Sequence, residues 1–443
     1  VRSKDREALA QRVLSLSNAD ETEVMVWTER NELTRFTHNA VHQNVAGRDV
    51  SVKVRAVIGK RTGVASTNLL DDPELRGVVD RAIAMAKLAP EDPGLPSLPS
   101  GGSVQTPEGA YVSDTATASP ELRAQMCDAI FKTAEENDYW CAGFVNTSEA
   151  GVTIVNSSGA RASFDGTDAA VNVKMNGTDS TGYAEGFDND VNRLDAHAIG
   201  RTSAEKAHDS AHPRTVEPGE WTVILEPAAF GEIFTYLSDH FSAQSFDEGS
   251  SFLSDGLDKQ YLADNVTITD DYAHPLSPGM PFDYEGHPTE RLALIEDGVA
   301  KNIVTDSYWA HKLNRPNTGH ALPAPNAYGP QAMHLVVAPG SKSINELIAQ
   351  TKRGLLISRF WYIRTVDQKK AIVTGMTRDG TFLIENGEVA GGVRNMRFNH
   401  SIIEALKHCE FGNSLHRTGS YSYSVVVPAA KIEGFRFSSG TDF

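Results

Sequence analysis

The stretch Trp221–His240, WTVILEPAAFGEIFTYLSDH, constrains the fold of this chain more than any other. Thr222–Leu225 is a β-branched and apolar run that reads as a strand. Glu226-Pro227 ends it, because proline has no N–H to give to a sheet ladder. Phe230, Ile233, Phe234 and Leu237 then recur at helical spacing, which predicts strand, turn and an amphipathic helix through His240. Residues one turn apart on such a helix project to one side, so it makes a platform for metal ligands. Asp239 and His240 are its candidates for chemistry. A catalytic zinc takes three protein ligands and an open position for water, and that water needs a base. One imidazole supplies neither set.

A chain of 443 residues exceeds one ordinary core, so two or three domains are expected. The net charge of −17 repels nucleic acid, which is bound mainly through its phosphates. Cys127, Cys141 and Cys409 are too few and too scattered for a disulfide framework or a metal knuckle, which points to a reducing compartment. No apolar run approaches the ~18–20 residues of a membrane span, and the first residues lack the apolar core of a signal peptide. A cytoplasmic protein without membrane contact is expected.

In chain order, Ser3 is placed to cap a helix to about Leu16. Period-two alternation over Glu23–Thr28, Leu33–Phe36 and Ser51–Val57 predicts strands with one face buried, the first two turning at Asn31. Gly59–Gly63 lacks the spacing of a phosphate loop and reads as a hairpin turn. Asp72-Pro73 opens a second helix, and the Pro/Gly/Ser-rich stretch from Pro90 to Pro107 marks a linker. A helix from Pro120 to about Asn137 and strands at Gly151–Val155 and Ala169–Met175 follow. The polar, glycine-rich stretch Asn176–Asp190 reads as a mobile loop. A helix over about Asp195–Asp209 and a linker, His212–Gly219, lead into the most strand-rich part.

There, Asp264–Asp271 reads as an edge strand and Tyr272–Pro288 as a long excursion. Asp297-Gly298 and Asn386-Gly387 each sit between apolar runs, a strong hairpin signal. Ala338–Ser343 ends like a phosphate loop but lacks its first glycine, and Ser343 with Glu346 makes a capping box instead. His38 and His42 stand four apart in a strand-like run, about 13 Å and too far for one metal. No Gly-x-Ser-x-Gly elbow is present. Nothing in the spacing selects Glu285, Asp239 or Asp306 as acid/base groups over ordinary surface carboxylates.

Four segments carry a family resemblance: RFTHNAVHQN, GKRTGVASTN, PNTGHALPAPN and RFWYIRTVDQKKAIVTGMTRDGTFLIENGEVAGGV. With the strand-turn-helix at Trp221, they make the chain similar, over essentially its whole length, to the TldD/PmbA family, described as modulators of DNA gyrase or metallopeptidases. In the zinc-bearing branch the helix carries His-Glu-x-x-x-His, and a cysteine before a Val-Pro strand joins the two histidines. On this chain the motif's positions run from Thr235 to His240. Threonine replaces the first ligand, Tyr236 the glutamate, and only His240 remains. Leu415–Ser420, ahead of Ser424–Pro428, holds no cysteine; His416 stands there and Cys409 lies too early.

The resemblance therefore points to the metal-free TldE/PmbA-like branch, with no cofactor in this chain and zinc in a TldD-like partner. It implies unfolded peptide substrates reaching a chamber between two subunits, with this chain dimerising with the partner or with itself. A gyrase link would not be direct DNA binding, given the charge. Tyr236, Phe360, Trp361 and Tyr362 are candidates for lining the chamber, and exposed sheet edges would take an extended peptide as an added strand. The expected architecture is α+β: an N-terminal domain over 1–110, a middle segment over 111–218 packing with it, and a mainly antiparallel domain over 219–443. Two other readings stay open. One is a homodimeric hydrolase with a non-standard site at Asp239/His240; the other is a non-enzymatic peptide-binding protein.

Overall fold

A computed structural model describes residues 3–420 and 423–441. Helix α1 (Ser3–Ser15) precedes a meander of β1 (Glu21–Thr37), β2 (Ala40–Ile58) and β3 (Arg61–Thr67). Helices α2 (Asp72–Leu88), α3 (Ser113–Ala116) and α4 (Pro120–Glu136) follow, then β4 (Trp140–Asn156), β5 (Arg161–Asn176), β6 (Thr181–Asp188) and α5 (Ala196–Asp209). All six strands join one antiparallel sheet in the order β3-β2-β1-β4-β5-β6, so residues 1–110 and 111–218 share a single layer. Alternation sorts its faces. Val24, Val26, Val52 and Val54 meet α1 and α2, and Val145, Val171 and Val173 meet α4 and α5. Met25, Val152, Ile154 and Phe164 point the other way and bury Phe282 of the second half.

Four expectations for this half change. β1 runs unbroken through Asn31, and the chain turns instead at His38-Asn39, both in the left-handed region (φ 51° and 57°). Asp71, not Asp72, caps α2, and Ser3 lies within α1. The stretch 176–190 is not a mobile loop: Thr181–Asp188 is β6, paired with β5 along its length. Its glycines answer to packing. A Cβ on Gly182 would stand 2.0 Å from the Ser203 carbonyl oxygen of α5, so only glycine lets the strand lie against that helix.

The second half opens with β7 (Gly219–Leu225) and α6 (Pro227–Phe234), followed by a 3-10 helix, Thr235–Phe241, and α7 (Ala243–Asp247). The α-helix expected through His240 thus tightens at Thr235, whose hydroxyl donates to the Glu232 carbonyl at 2.9 Å. After these come β8 (Ile268–Asp270), β9 (Leu292–Glu296), β10 (Val299–Ala300), α8 (Ser307–Leu313), β11 (His334–Val337) and α9 (Ile344–Ala349). The rest is β12 (Arg353–Asp367), β13 (Ile372–Glu385), β14 (Glu388–Gly392), β15 (Met396–Ser401), α10 (Ile402–Lys407), β16 (Cys409–Phe411), β17 (His416–Ser420), β18 (Tyr423–Val427) and β19 (Ala430–Gly440). The hairpins form at Asp297-Gly298 and Asn386-Gly387, and Ser343 with Glu346 closes the capping box of α9.

One sheet runs β10-β9-β8-β11-β18-β17, with β8 inside it rather than at an edge. In the other, β12, β7, β19, β15 and β13 pair in turn, and β13 pairs back to β12. Phe360, Phe398 and Phe435, from strands that are not all neighbours, meet at 4.6 to 6.0 Å between ring centroids. Rings from opposite strands touch only if the sheet has closed around them. Closure removes the free edges of β12 and β13 from strand addition, whereas the other sheet of this half still ends at β10 and β17.

Candidate functional site

The two halves meet along a seam where β6, the last strand of the first sheet, faces β17, the last of the second. Arg417 of β17 is buried there, donating to Asp168 at 2.6 Å and Asn189 at 2.7 Å. Lys206 of α5 pairs with Glu226, just before α6, and Lys174 of β5 reaches Asp379 of β13 at 2.9 Å. These charge-assisted contacts fix the helix that follows β7 against the first sheet.

Between them opens a groove of about 480 Å³, floored by Gly231 and Glu232 of α6 and walled by Glu185 of β6, Thr235, Tyr236 and residues 359–364 of β12. A Cβ on Gly231 would lie 2.8 Å from the Thr418 hydroxyl, so glycine sets how closely α6 approaches β17. Glu232 accepts the Phe360 N–H at 2.6 Å and stands 3.7 Å from Arg359. Burial pushes its carboxyl up to about 8 even though Arg359 pulls the other way. Burial raises Glu185 as well, against its bond from Tyr183. The Arg359 guanidinium lies over Tyr183 at 4.1 Å and Trp361 at 5.1 Å. The floor is a glutamate whose carboxyl burial biases toward the protonated form, beside a fixed cation and lined by aromatic faces. Such a surface can hold an extended chain through backbone groups and side-chain stacking.

The expected lining residues reach this groove unequally. Trp361 and Tyr362 are exposed at its rim, and Tyr236 is half-buried with its hydroxyl donating to the Ile363 carbonyl at 2.9 Å. Phe360 presents only its backbone, because its ring lies in the closed sheet. A bulge in β12 between Trp361 and Arg364, with Tyr362 at φ 58°, sends the two aromatics apart. Asp239 and His240 are not brought together. Asp239 is exposed and bonded to Gln331 at 2.6 Å, whereas His240 is 1% exposed, packed on Phe252 and accepting its N–H at 3.3 Å. Burial pushes that imidazole down to about 4.

Glu285 and Asp306 lie on the other contact between the halves, with Arg55 3.0 Å from Glu285. Sequence reasoning missed Glu232, Glu185, Tyr183 and Arg359. Glu232 sits one turn before Thr235 and was legible as helix. Tyr183 and Glu185 were hidden by reading β6 as a loop, although Tyr183, Glu185 and Phe187 alternate as one strand face.

Comparison with known proteins agrees with this architecture. Residues 218–439 match the PmbA/TldA metallopeptidase C-terminal domain, and residues 23–86 match PmbA/TldA metallopeptidase domain 1. The chain belongs to the PmbA/TldD family. A metalloprotease PmbA homolog of Haemophilus influenzae is 26% identical over 419 residues, covering 87% of this chain and 86% of that one. Metalloprotease PmbA of Escherichia coli O157:H7 is 27% identical over 242 residues, 53% of this chain and 51% of its own length. The crystal structure of TldE from Thermococcus kodakarensis superposes with a TM-score of 0.87 at 22% identity, covering 98% of this chain and 99% of that one, which shows the shared fold.

For PmbA/TldD proteins of the metal-bearing branch, the resemblance implies zinc on the helix after β7. The donors here do not fit it. The Thr235 hydroxyl is committed to a backbone carbonyl, the Tyr236 hydroxyl to another, and the His240 imidazole faces the core. His416 lies on β17, hydrogen-bonded to Ser414 at 3.3 Å, and Cys409 on β16 is pushed up to about 12 by burial. Among the described residues, no three His, Cys, Asp or Glu side chains gather as a set able to hold an ion. No helix among them is long and apolar enough to cross a membrane.

Proposed function

We propose that this chain is the metal-free, TldE-like subunit of a two-chain peptidase of the PmbA/TldD family. It binds an extended, unfolded segment of substrate in the groove between β6, α6 and β12, and a zinc-bearing TldD-like partner cleaves it. The observation that supports this best is the division of labour along α6 and the 3-10 helix. The positions of the zinc motif are occupied by committed hydroxyls and a core imidazole, while Gly231, Glu232 and Tyr236 present to a groove. The groove's stacked aromatics and cation suit side-chain contacts that tolerate varied sequence.

The test mixes the purified chain with a zinc-bearing member of the family and follows cleavage of an unfolded peptide. Cleavage should need both proteins, and Trp361→Ala in this chain should reduce it. Cleavage by this chain alone, lost on His240→Ala, contradicts the proposal and favours a hydrolase with its own site. Peptide binding with no cleavage under any pairing favours a binding protein.

A further inference from the structure

Arg359 of β12 and Arg378 of β13 stand directly opposite each other in the ladder, a like-charged pair that costs stability unless negative charge lies beside it. The fold supplies Asp379, buried, which Arg359, Arg378 and Lys174 of β5 approach to 3.8, 3.7 and 2.9 Å. Three cations thus share one carboxylate. Arg364, exposed farther along β12, has the Ile363 carbonyl, to which it donates at 3.3 Å, and the Tyr362 ring as its contacts. The groove's own carboxyls, Glu232 and Glu185, are placed to balance this charge, but burial holds both toward the neutral form. The strip from Arg378 to Arg364 is therefore positive, on a chain of net charge −17.

The guanidiniums are also posed for a partner. Arg359 and Arg378 lie over the Trp361 indole at 5.1 and 4.8 Å, and Arg364 lies over the Tyr362 ring at 4.7 Å. A guanidinium that rests its flat face on a ring keeps its edge N–H groups for a partner in its own plane, and their fork matches the two oxygens of a carboxylate. Trp361 and Tyr362 are 41% and 64% exposed, so these stacks stand at the rim, where a bound chain would pass. A cleft edged by one sign of charge draws the opposite sign and repels its own. The strip favours carboxylates over ammonium groups.

We infer that the arginines at the rim of the groove form a carboxylate subsite, so that the segment held there carries an acidic side chain or a free C-terminus. The inference rests on the groove reading above and adds a charge preference to it. Aromatic faces tolerate varied sequence; Arg364 and Arg378 select a negative group within it.

Fluorescence anisotropy of labelled, unstructured peptides with the full chain tests it. One peptide carries a pair of glutamates, a second has glutamines in their place, and each is made with a free and with an amidated C-terminus. A peptide with either kind of carboxylate should bind at least about fivefold tighter than the amidated glutamine peptide, and the kind that matters names the source. The long-range field of the acidic chain opposes such peptides, so the preference reports contacts at the rim. Arg364→Gln and Arg378→Gln, both at positions open to solvent, should together bring that ratio close to one. Trp361→Ala should weaken every peptide, the neutral one included. Equal binding of all the peptides, with Trp361→Ala weakening each, overturns the carboxylate subsite and leaves the groove reading standing. A preference that survives the combined arginine variant also overturns the subsite. Peptides that fail to bind at all overturn both.

Discussion

Glu232 and His240 belong to one continuous helical stretch, yet they serve opposite sides of it. A third of the Glu232 side chain reaches the groove, held between the Phe360 N–H and Arg359. His240 turns into the core and touches Phe252. Burial acts on both in the same sense, raising an acid to about 8 and lowering a base to about 4, and so favours the neutral form of each. Only the one that meets solvent can take part in binding. A residue at a motif position therefore carries no function by its position alone; the face it occupies decides.

The contrast between a core face and a groove face is most sharply broken at β12. Phe360→Ala should cost about 3–5 kcal/mol in denaturant unfolding, because its ring fills the closed sheet. The adjacent Trp361→Ala should cost within roughly 1 kcal/mol and instead weaken peptide binding, being exposed at the rim. Equal losses of stability would erase the distinction.

Next in size is His240→Ala, expected to cost roughly 2 kcal/mol while leaving peptide affinity unchanged. The wild-type protein should also lose stability as pH falls from 6.5 toward 4, because the unfolded chain takes up a proton that the buried imidazole refuses. The variant should lack that part of the slope, as read by chemical unfolding at several pH values.

Glu232→Gln sharpens the other half of the comparison through the sign of the effect. With its folded value near 8 against 4.5, the native carboxyl keeps a proton that the unfolded one releases. Its contribution is therefore fully present below about 4.5 and is lost as pH rises toward 8. Glutamine should flatten stability over that window and leave the acid side untouched. The smallest effect is at the rim. Tyr362→Gly should stabilise by up to about 1 kcal/mol by relieving a left-handed conformation that a bulky residue resists, while binding weakens.

Much of the fold was legible because its signals are local. The Asn386-Gly387 and Asp297-Gly298 turns, the Ser343 capping box and the alternation of β1, β2 and β4 all depend on neighbours in sequence. What stayed hidden depends on contacts distant in the chain. β6 looked like a loop because its glycines make room for α5, a fact written nowhere near residue 182. A regular strand would put Phe360 and Tyr362 on one face, and the bulge that separates them has no signature in RFWYIR. The groove itself joins four segments of the sequence, so its glutamates and Arg359 gave no common motif to find.

The central claim is that this subunit holds no zinc of its own while serving a partner that does. Element-resolved metal analysis of the purified chain after incubation with zinc, alone and mixed with a zinc-bearing relative, tests it directly. The account predicts substoichiometric metal in this chain and zinc that follows the relative. One tightly held zinc per copy of this chain, lost on His240→Ala, would contradict it.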